Sequence, residues 1–258
     1  MVITFYNRCF AMMYLFELLY QVLKDTYFTD KIATHSYNIY YSKYVSDDYW
    51  NYALISDLCP AKFVADEIEQ RFSQIKRPSN IYLSSTAAQD LKELQNRRYK
   101  VGFTDIWMRY EGEVKNTAIK ARRVTTEREK EDFTKVFTKY FTSPNRFFSS
   151  LPPQIIANLR KSLDNENLGH FITYDGNRPV AIGSLGHYHR YCLLINFAVD
   201  PDYLESEHKQ AILKACADYF QQINGLSLNI NIYSDNQLEK FYSENGFRKI
   251  ASGCRMYL

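Results

Sequence analysis

Residues 191–215 read YCLLINFAVDPDYLESEHKQAILKA, and the periodicity changes twice within them. Residues 191–199 are apolar at nearly every position, the pattern of a strand covered on both faces and therefore central in its sheet. Beyond the turn a helix is expected to about Gln222, with Ile212, Cys216, Tyr219 and Ile223 on one side and Lys214, Asp218 and Gln221 on the other. Such a turn presents unpaired amides and the positive end of the helix dipole, an arrangement that favours an anion. Glycines would let a ligand approach the backbone closely. This turn carries Leu204, Glu205, Ser206, Glu207, His208 and Lys209 instead.

The flanking segments extend the pattern. Upstream, AIKARRV (118–124) alternates like a strand, and Thr126 three residues before Glu129 has the spacing of a capping box. Phe133, Val136, Phe137, Tyr140 and Phe141 then recur at helical spacing. Pro152 and Pro153 suit a second helix start, with Ile155, Ile156, Leu159 and Leu163 continuing the apolar stripe. HFITY and RPVAIGSL flank Asp175-Gly176-Asn177, the turn chemistry of a hairpin. Downstream, LSLNINIY alternates as a strand, NQLEKFYSE is a short helix stopped at Asn245-Gly246, and FRKIASGCRMYL returns as a strand.

The first half repeats the later part of this order. SYNIYYSKYV and YWNYALIS read as strands, AKFVADEIEQRFSQI as a helix, NIYLSS as a strand, AAQDLKELQNRR as a helix and YKVGFTDIWMRY as a strand. Asn80-Ile81-Tyr82 leads to Gly102-Phe103 as Asn231-Ile232-Tyr233 leads to Gly246-Phe247, which fits a degenerate duplication. The boundary falls in EGEVKNT (111–117), giving lobes 1–114 and 115–258. FAMMYLFELLYQVLKD reads as an amphipathic core helix with Phe10, Tyr14, Leu18 and Val22 on one face; Glu17, Gln21 and Lys24 interrupt it well short of the about 20 apolar residues of a membrane span. A secretory signal's basic start and small-residue cleavage site are also missing.

Composition narrows the function classes. The 258 residues are 46% hydrophobic and 24% charged with a formal charge of +3, an ordinary globular balance without a basic arm for nucleic acid. The five cysteines are scattered and form no metal-spaced cluster, which fits a reducing cytoplasm and no metal site. Aromatic clusters such as YNIYYSKY read as sheet packing.

The element order, with INFAVDPDY before the long helix and NQLEKFYSENGF near the end, resembles the GCN5-related N-acetyltransferase (GNAT) family over residues 117–258. The resemblance implies an α+β fold of tandem acetyltransferase-like lobes, each a mixed, mostly antiparallel sheet flanked by helices, the first lobe a divergent copy. It implies acetyl-CoA as cosubstrate, an amine acceptor of unread identity, a ternary complex, and homodimer formation through the sheets. Carried over to this sequence, it assigns cofactor binding to Phe197, Ala198 and Val199 on the central strand, to Leu204, Glu205, Ser206, Glu207, His208 and Lys209 in the turn, and to Asn236 or its neighbour Asp235. Leu204 stands where the family has a basic or amide residue, and Glu207 and Lys209 stand at its two small positions. A carboxylate close to a diphosphate costs on the order of 1 to 4 kcal/mol, which Lys209 and a protonated His208 would offset in part.

Thioester aminolysis needs a neutral amine and an acid for the departing thiolate. The resemblance gives the acid's role to Tyr242, whose position beside Phe241 equally fits simple packing. Asn196 occupies the central-strand position where many relatives carry Glu, and an amide is no useful proton acceptor. His189 is then the candidate base, against the plainer reading of a surface hairpin histidine, and Glu166 and His170 are left unassigned. The alternative function is a non-catalytic acetyltransferase-like protein that binds a small ligand or a protein.

Overall fold

The computed structural model describes residues 2–47, 49–55, 59–84, 88–142, 151–204 and 207–258. In chain order, helix α1 (Val2–Leu23) leads to strands β1 (Asp30–Ala33), β2 (Tyr37–Tyr41) and β3 (Tyr52–Ile55), helix α2 (Ala65–Gln74), strand β4 (Asn80–Ser84), helix α3 (Ala88–Asn96) and strand β5 (Lys100–Tyr110). The chain continues through β6 (Arg122–Arg123), α4 (Glu127–Phe141), α5 (Pro153–Ser162), β7 (Leu168–Asp175), β8 (Arg178–Tyr188) and β9 (Tyr191–Val199). It ends with α6 (Glu207–Gln222), β10 (Ser227–Tyr233), α7 (Asn236–Ser243) and β11 (Phe247–Tyr257). Two compact units share these elements, and neither is a continuous segment. The first holds residues 1–107, 231–239 and 249–258; the second holds 108–230 and 240–248.

In the first unit β1, β2 and β3 form an antiparallel meander, and β3 runs parallel to β4 with Ala53 opposite Ile81. The last strand of the chain then pairs antiparallel with β4, from Gly253 opposite Ser84 to Tyr257 opposite Asn80. The four-residue β1 has no counterpart among the expected strands; it is short and half exposed, so its alternation is too brief to read. Helix α1 buries Phe16 edge-on against Tyr52, Tyr82 and Trp107. Among the described residues no helix is long and apolar enough to cross a membrane.

Within this unit lies an enclosed ion pair. Arg255 and Asp105 are each 1% exposed, with Nη2 3.8 Å from Oδ2. Arg255 Nη1 donates to the Tyr49 carbonyl at 2.7 Å, and the Tyr82 hydroxyl donates to Asp105 at 2.5 Å. The rings of Tyr49, Tyr52, Tyr82 and Phe103 surround the guanidinium with centroids 4.2 to 5.7 Å away, close enough for cation–π attraction. Burial raises the Asp105 carboxyl above its usual range, against the pull of Arg255.

In the second unit the strand order is β10-β9-β8-β7-β6, antiparallel except for the parallel β9/β10 pair. The β7–β8 hairpin turns at Gly176, whose φ of +57° suits glycine. Helix α4 starts with a complete capping box: Thr126 Oγ1 accepts from Glu129 N at 3.3 Å, and the Glu129 carboxylate accepts from Thr126 N at 3.0 Å. Helix α6 packs on β7, β8 and β9, burying Ile212, Cys216 and Tyr219 as its periodicity predicts. The strand expected over 118–124 shrinks to Arg122–Arg123, which pair with Ile172 and Phe171. Residues 117 and 118 spend their donors elsewhere, as described below.

Candidate functional site

Strands β9 and β10 pair from Tyr191 opposite Ser227 to Leu194 opposite Ile230. Their ladder ends there, while β9 runs on to Val199 along β8. The β8–β9 register slips between Ile182 opposite Ala198 and Ser184 opposite Ile195, so Asn196 and Phe197 together face Gly183 in a bulge. Asn196 takes φ +52°, a conformation asparagine tolerates better than most residues. Gly183 must lack a side chain, because a Cβ there would run into Ile212 of α6. A strand edge that leaves its neighbour beside a bulge points backbone donors and acceptors into the gap. Of the residues expected at this edge, Ala198 and Val199 have buried side chains and Phe197 is half-buried, 6.0 Å from the Tyr242 ring.

The turn after β9 is held by charge. Asp200 is buried and accepts from Lys139 at 2.8 and 2.9 Å, from Arg178 at 2.8 Å and from Asp202 N at 3.2 Å. Burial opposes its ionisation, but these donors prevail and hold its carboxyl below the usual range. This clamp ties α4, β8 and the entry to α6 together. Sequence reading missed it, although Asp200 and Asp202 beside Pro201 are a visible turn signal.

Beyond it, Leu204 is 38% exposed, and Glu205 and Ser206 lie outside the described residues. Glu207 opens α6, and its carboxylate accepts from the Thr117 hydroxyl at 2.6 Å and from Ala118 N at 3.3 Å. His208 is 6% exposed, lies edge-on to Tyr203 at 5.6 Å, and has no hydrogen-bond partner at Nδ1. Burial lowers its pKa, against the pull of Asp175, and so works against the protonated form that would help hold an anion. Lys209 sets its ammonium 4.5 Å from the Phe241 ring centre. It is the remaining cation of this turn.

Tyr242 sits in α7, 2% exposed, with Phe241 and Phe247 packed edge-on around it. Burial, reinforced by nearby Tyr140 and Cys216, raises its phenol pKa well above the ordinary value, so it stays protonated. Asp235, rather than Asn236, caps α7: its carboxylate accepts from Gln237 N at 2.7 Å and Leu238 N at 3.0 Å, and Asn236 is exposed. His189 is exposed in the β8–β9 turn with φ +55°. That turn is roughly 23 Å of strand from Asn196 at about 3.3 Å per residue, so the structure does not bring His189 together with Tyr242. His170 is consumed by packing: its Nδ1 lies 2.7 Å from Ser184 Oγ and its Nε2 3.0 Å from the Ser162 carbonyl. No metal-holding group of His, Cys, Asp or Glu occurs among the described residues.

A linear thioester carrier with a diphosphate fits one end of this arrangement better than the other. The β9 edge from Ile195 to Val199 suits an amide-bearing arm. At the α6 end His208 Nδ1 is a buried polar atom without a partner and Lys209 supplies charge, while the Glu207 carboxylate opposes an anion.

No family model matches the chain, and no curated protein matches it by sequence. Solved structures do. A GCN5-related N-acetyltransferase from Kribbella flavida aligns at a TM-score of 0.66 with 10% identity, covering 93% of this chain and 93% of that one. One from Sphaerobacter thermophilus aligns at 0.63 with 8% identity over 86% and 80%. A tandem GNAT protein from the clavulanic acid biosynthesis pathway aligns at 0.60 with 6% identity over 86% and 78%. The likeness read from INFAVDPDY and NQLEKFYSENGF therefore extends through nearly the whole chain, which has the fold of the GCN5-related N-acetyltransferases.

Proposed function

We propose that the second unit is an N-acetyltransferase that moves an acetyl group from acetyl-CoA to an amine in a ternary complex. The observation that carries this reading is the parting of β9 from β10 at Leu194, beside the Gly183–Asn196 bulge and ahead of α6. In this reading the backbone of Phe197, Ala198 and Val199 holds the pantetheine arm, and the turn from Leu204 to Lys209 receives the diphosphate. When bound, acetyl-CoA supplies a thioester carbonyl for the amine to attack. In this reading Asn196 and Phe197, at the bulge, lie toward the reacting end of the arm. Tyr242 keeps its phenolic proton for the sulfur as the C–S bond breaks, and the proton lost by the amine returns to the phenolate through solvent.

No general base is assigned, because the placement of His189 does not support that role; an acceptor that arrives as the free amine needs none. The reading keeps lobes 1–114 and 115–258 as a division of ancestry, with a cytoplasmic location and a homodimer as its further expectations. Calorimetry with acetyl-CoA and CoA tests it, together with thiol release during turnover. Wild type should bind and turn over, and Tyr242→Phe should lose about a hundredfold or more in rate with little loss of binding. Absence of binding at millimolar acetyl-CoA would reject it.

A second reading, a non-catalytic acetyltransferase-like protein that binds a small ligand or a partner, is favoured by Glu207. Its carboxylate stands at the helix end and already has two donors. That reading requires Tyr242→Phe to leave acyl transfer undetectably changed.

A further inference from the structure

Residues 111–118, between β5 and β6, form neither helix nor strand, yet they are bound along their length to α6 and to the turn that follows α7. Glu111 N donates to the Gly246 carbonyl at 2.8 Å, and Lys115 N to Asn245 Oδ1 at 3.1 Å. Lys115 Nζ pairs with Glu244 at 2.9 Å. Gln210 Nε2 donates to the Lys115 carbonyl at 2.9 Å and to Asn245 Oδ1 at 2.5 Å. At the far end, the Thr117 hydroxyl and Ala118 N both donate to the Glu207 carboxylate. Glu207 and Gln210 are three residues apart and so share a face of α6, which this segment engages.

The root and tip of the segment are held differently. At the root, Val114 is buried, and Gly246, with φ +81°, lets two backbones touch: a Cβ there would stand 2.8 Å from Glu113 N. The tip depends on one carboxylate in the first turn of α6. Helix N-termini attract phosphates, and a phosphate arriving at this one meets that same carboxylate.

We propose that residues 115–118 are a strap, latched to Glu207, that closes the N-terminal end of α6 in the free protein and releases when the diphosphate of the cosubstrate binds. The strap is an autoinhibitory contact and rests on the acetyl-CoA reading given above. It also gives the acidic turn a purpose: Glu207 is a seat for the chain's own donors, released on demand. A simpler possibility is that Glu207 only repels the ligand, and the two make opposite predictions. Removing the strap's donors while leaving Glu207 in place opens the strap in the first case and bares the repelling charge in the second.

The experiment compares wild type with Thr117→Val and with Thr117→Val/Gln210→Ala, using calorimetry with CoA and hydrogen exchange at the Ala118 amide. In the free variants that amide should exchange faster than in wild type, and CoA affinity should rise about five- to tenfold as the closed population falls. Adding CoA to wild type should likewise speed Ala118 exchange. Equal or weaker CoA binding by variants whose Ala118 amide has become labile would overturn the strap alone. Failure of wild type and both variants to bind millimolar CoA would overturn the acetyl-CoA reading and the strap with it.

Discussion

The two units dispose of their charges in opposite ways. The first turns an arginine and an aspartate inward, each 1% exposed, and walls them with aromatic rings. The second gathers its acids and bases around the end of β9, where Asp200 is buried but its partners Lys139 and Arg178 remain 53% and 47% exposed at their side chains. An enclosed pair is seldom a net source of stability over an apolar replacement, yet it punishes the loss of either partner. A clamp at a rim is screened by solvent and holds a loop in place at small cost. The contrast separates a unit whose polar groups serve its own interior from one whose polar groups border an open strand edge.

The sharpest way to break the comparison is at the enclosed pair. Arg255→Met should destabilise the first unit by about 3 to 5 kcal/mol, because it strands the Asp105 charge. Adding Asp105→Leu should recover most of the loss. Denaturant unfolding checks both, and a small loss in the single variant would show that the pair is not enclosed as described.

His170 sharpens the comparison from the other unit. Burial lowers its pKa from 6.5 to about 4, outweighing the support from the Ser162 carbonyl. Below pH 6.5 the unfolded chain takes up a proton that the folded ring refuses until about pH 4, so this stability is complete above pH 6.5 and lost as pH falls through that window. The loss amounts to about 3 kcal/mol. In unfolding measured from pH 7 to 4, His170→Gln should therefore fall less steeply than wild type by that amount.

The smallest effect concerns the bulge. Gly183→Val should cost about 1 to 3 kcal/mol by overpacking against Ile212, and should weaken acetyl-CoA binding as β9 is displaced. Ile212→Ala in the same chain should restore much of the stability, as thermal unfolding would show.

Local chemistry made much of this legible. The Thr126/Glu129 capping box, the Asp175-Gly176-Asn177 hairpin and the end of α6 at Gln222 all follow from contacts within a few residues. What escaped depends on distant partners. Glu207 reaches residues 117 and 118, about ninety positions away, and thereby shortens the strand expected over 118–124. The pairing of β11 with β4 joins the last strand to residues 80–84, far back in the first half of the sequence, and nothing in the alternation of FRKIASGCRMYL names that neighbour. Gly183 was visible as a glycine inside an apolar strand, a mark of bulge or close approach, but its partner on α6 was not. The imidazole of His189 has the chemistry of a base, and only the hairpin geometry shows that it lies at the opposite end of β9 from Asn196.

The most direct test of the central claim is amide hydrogen exchange along β9 with and without acetyl-CoA. Added acetyl-CoA should slow exchange at residues 196–199, beyond the end of the β10 ladder, and leave residues 192–194 unchanged. Unaltered exchange across the whole of β9 at millimolar acetyl-CoA would contradict it.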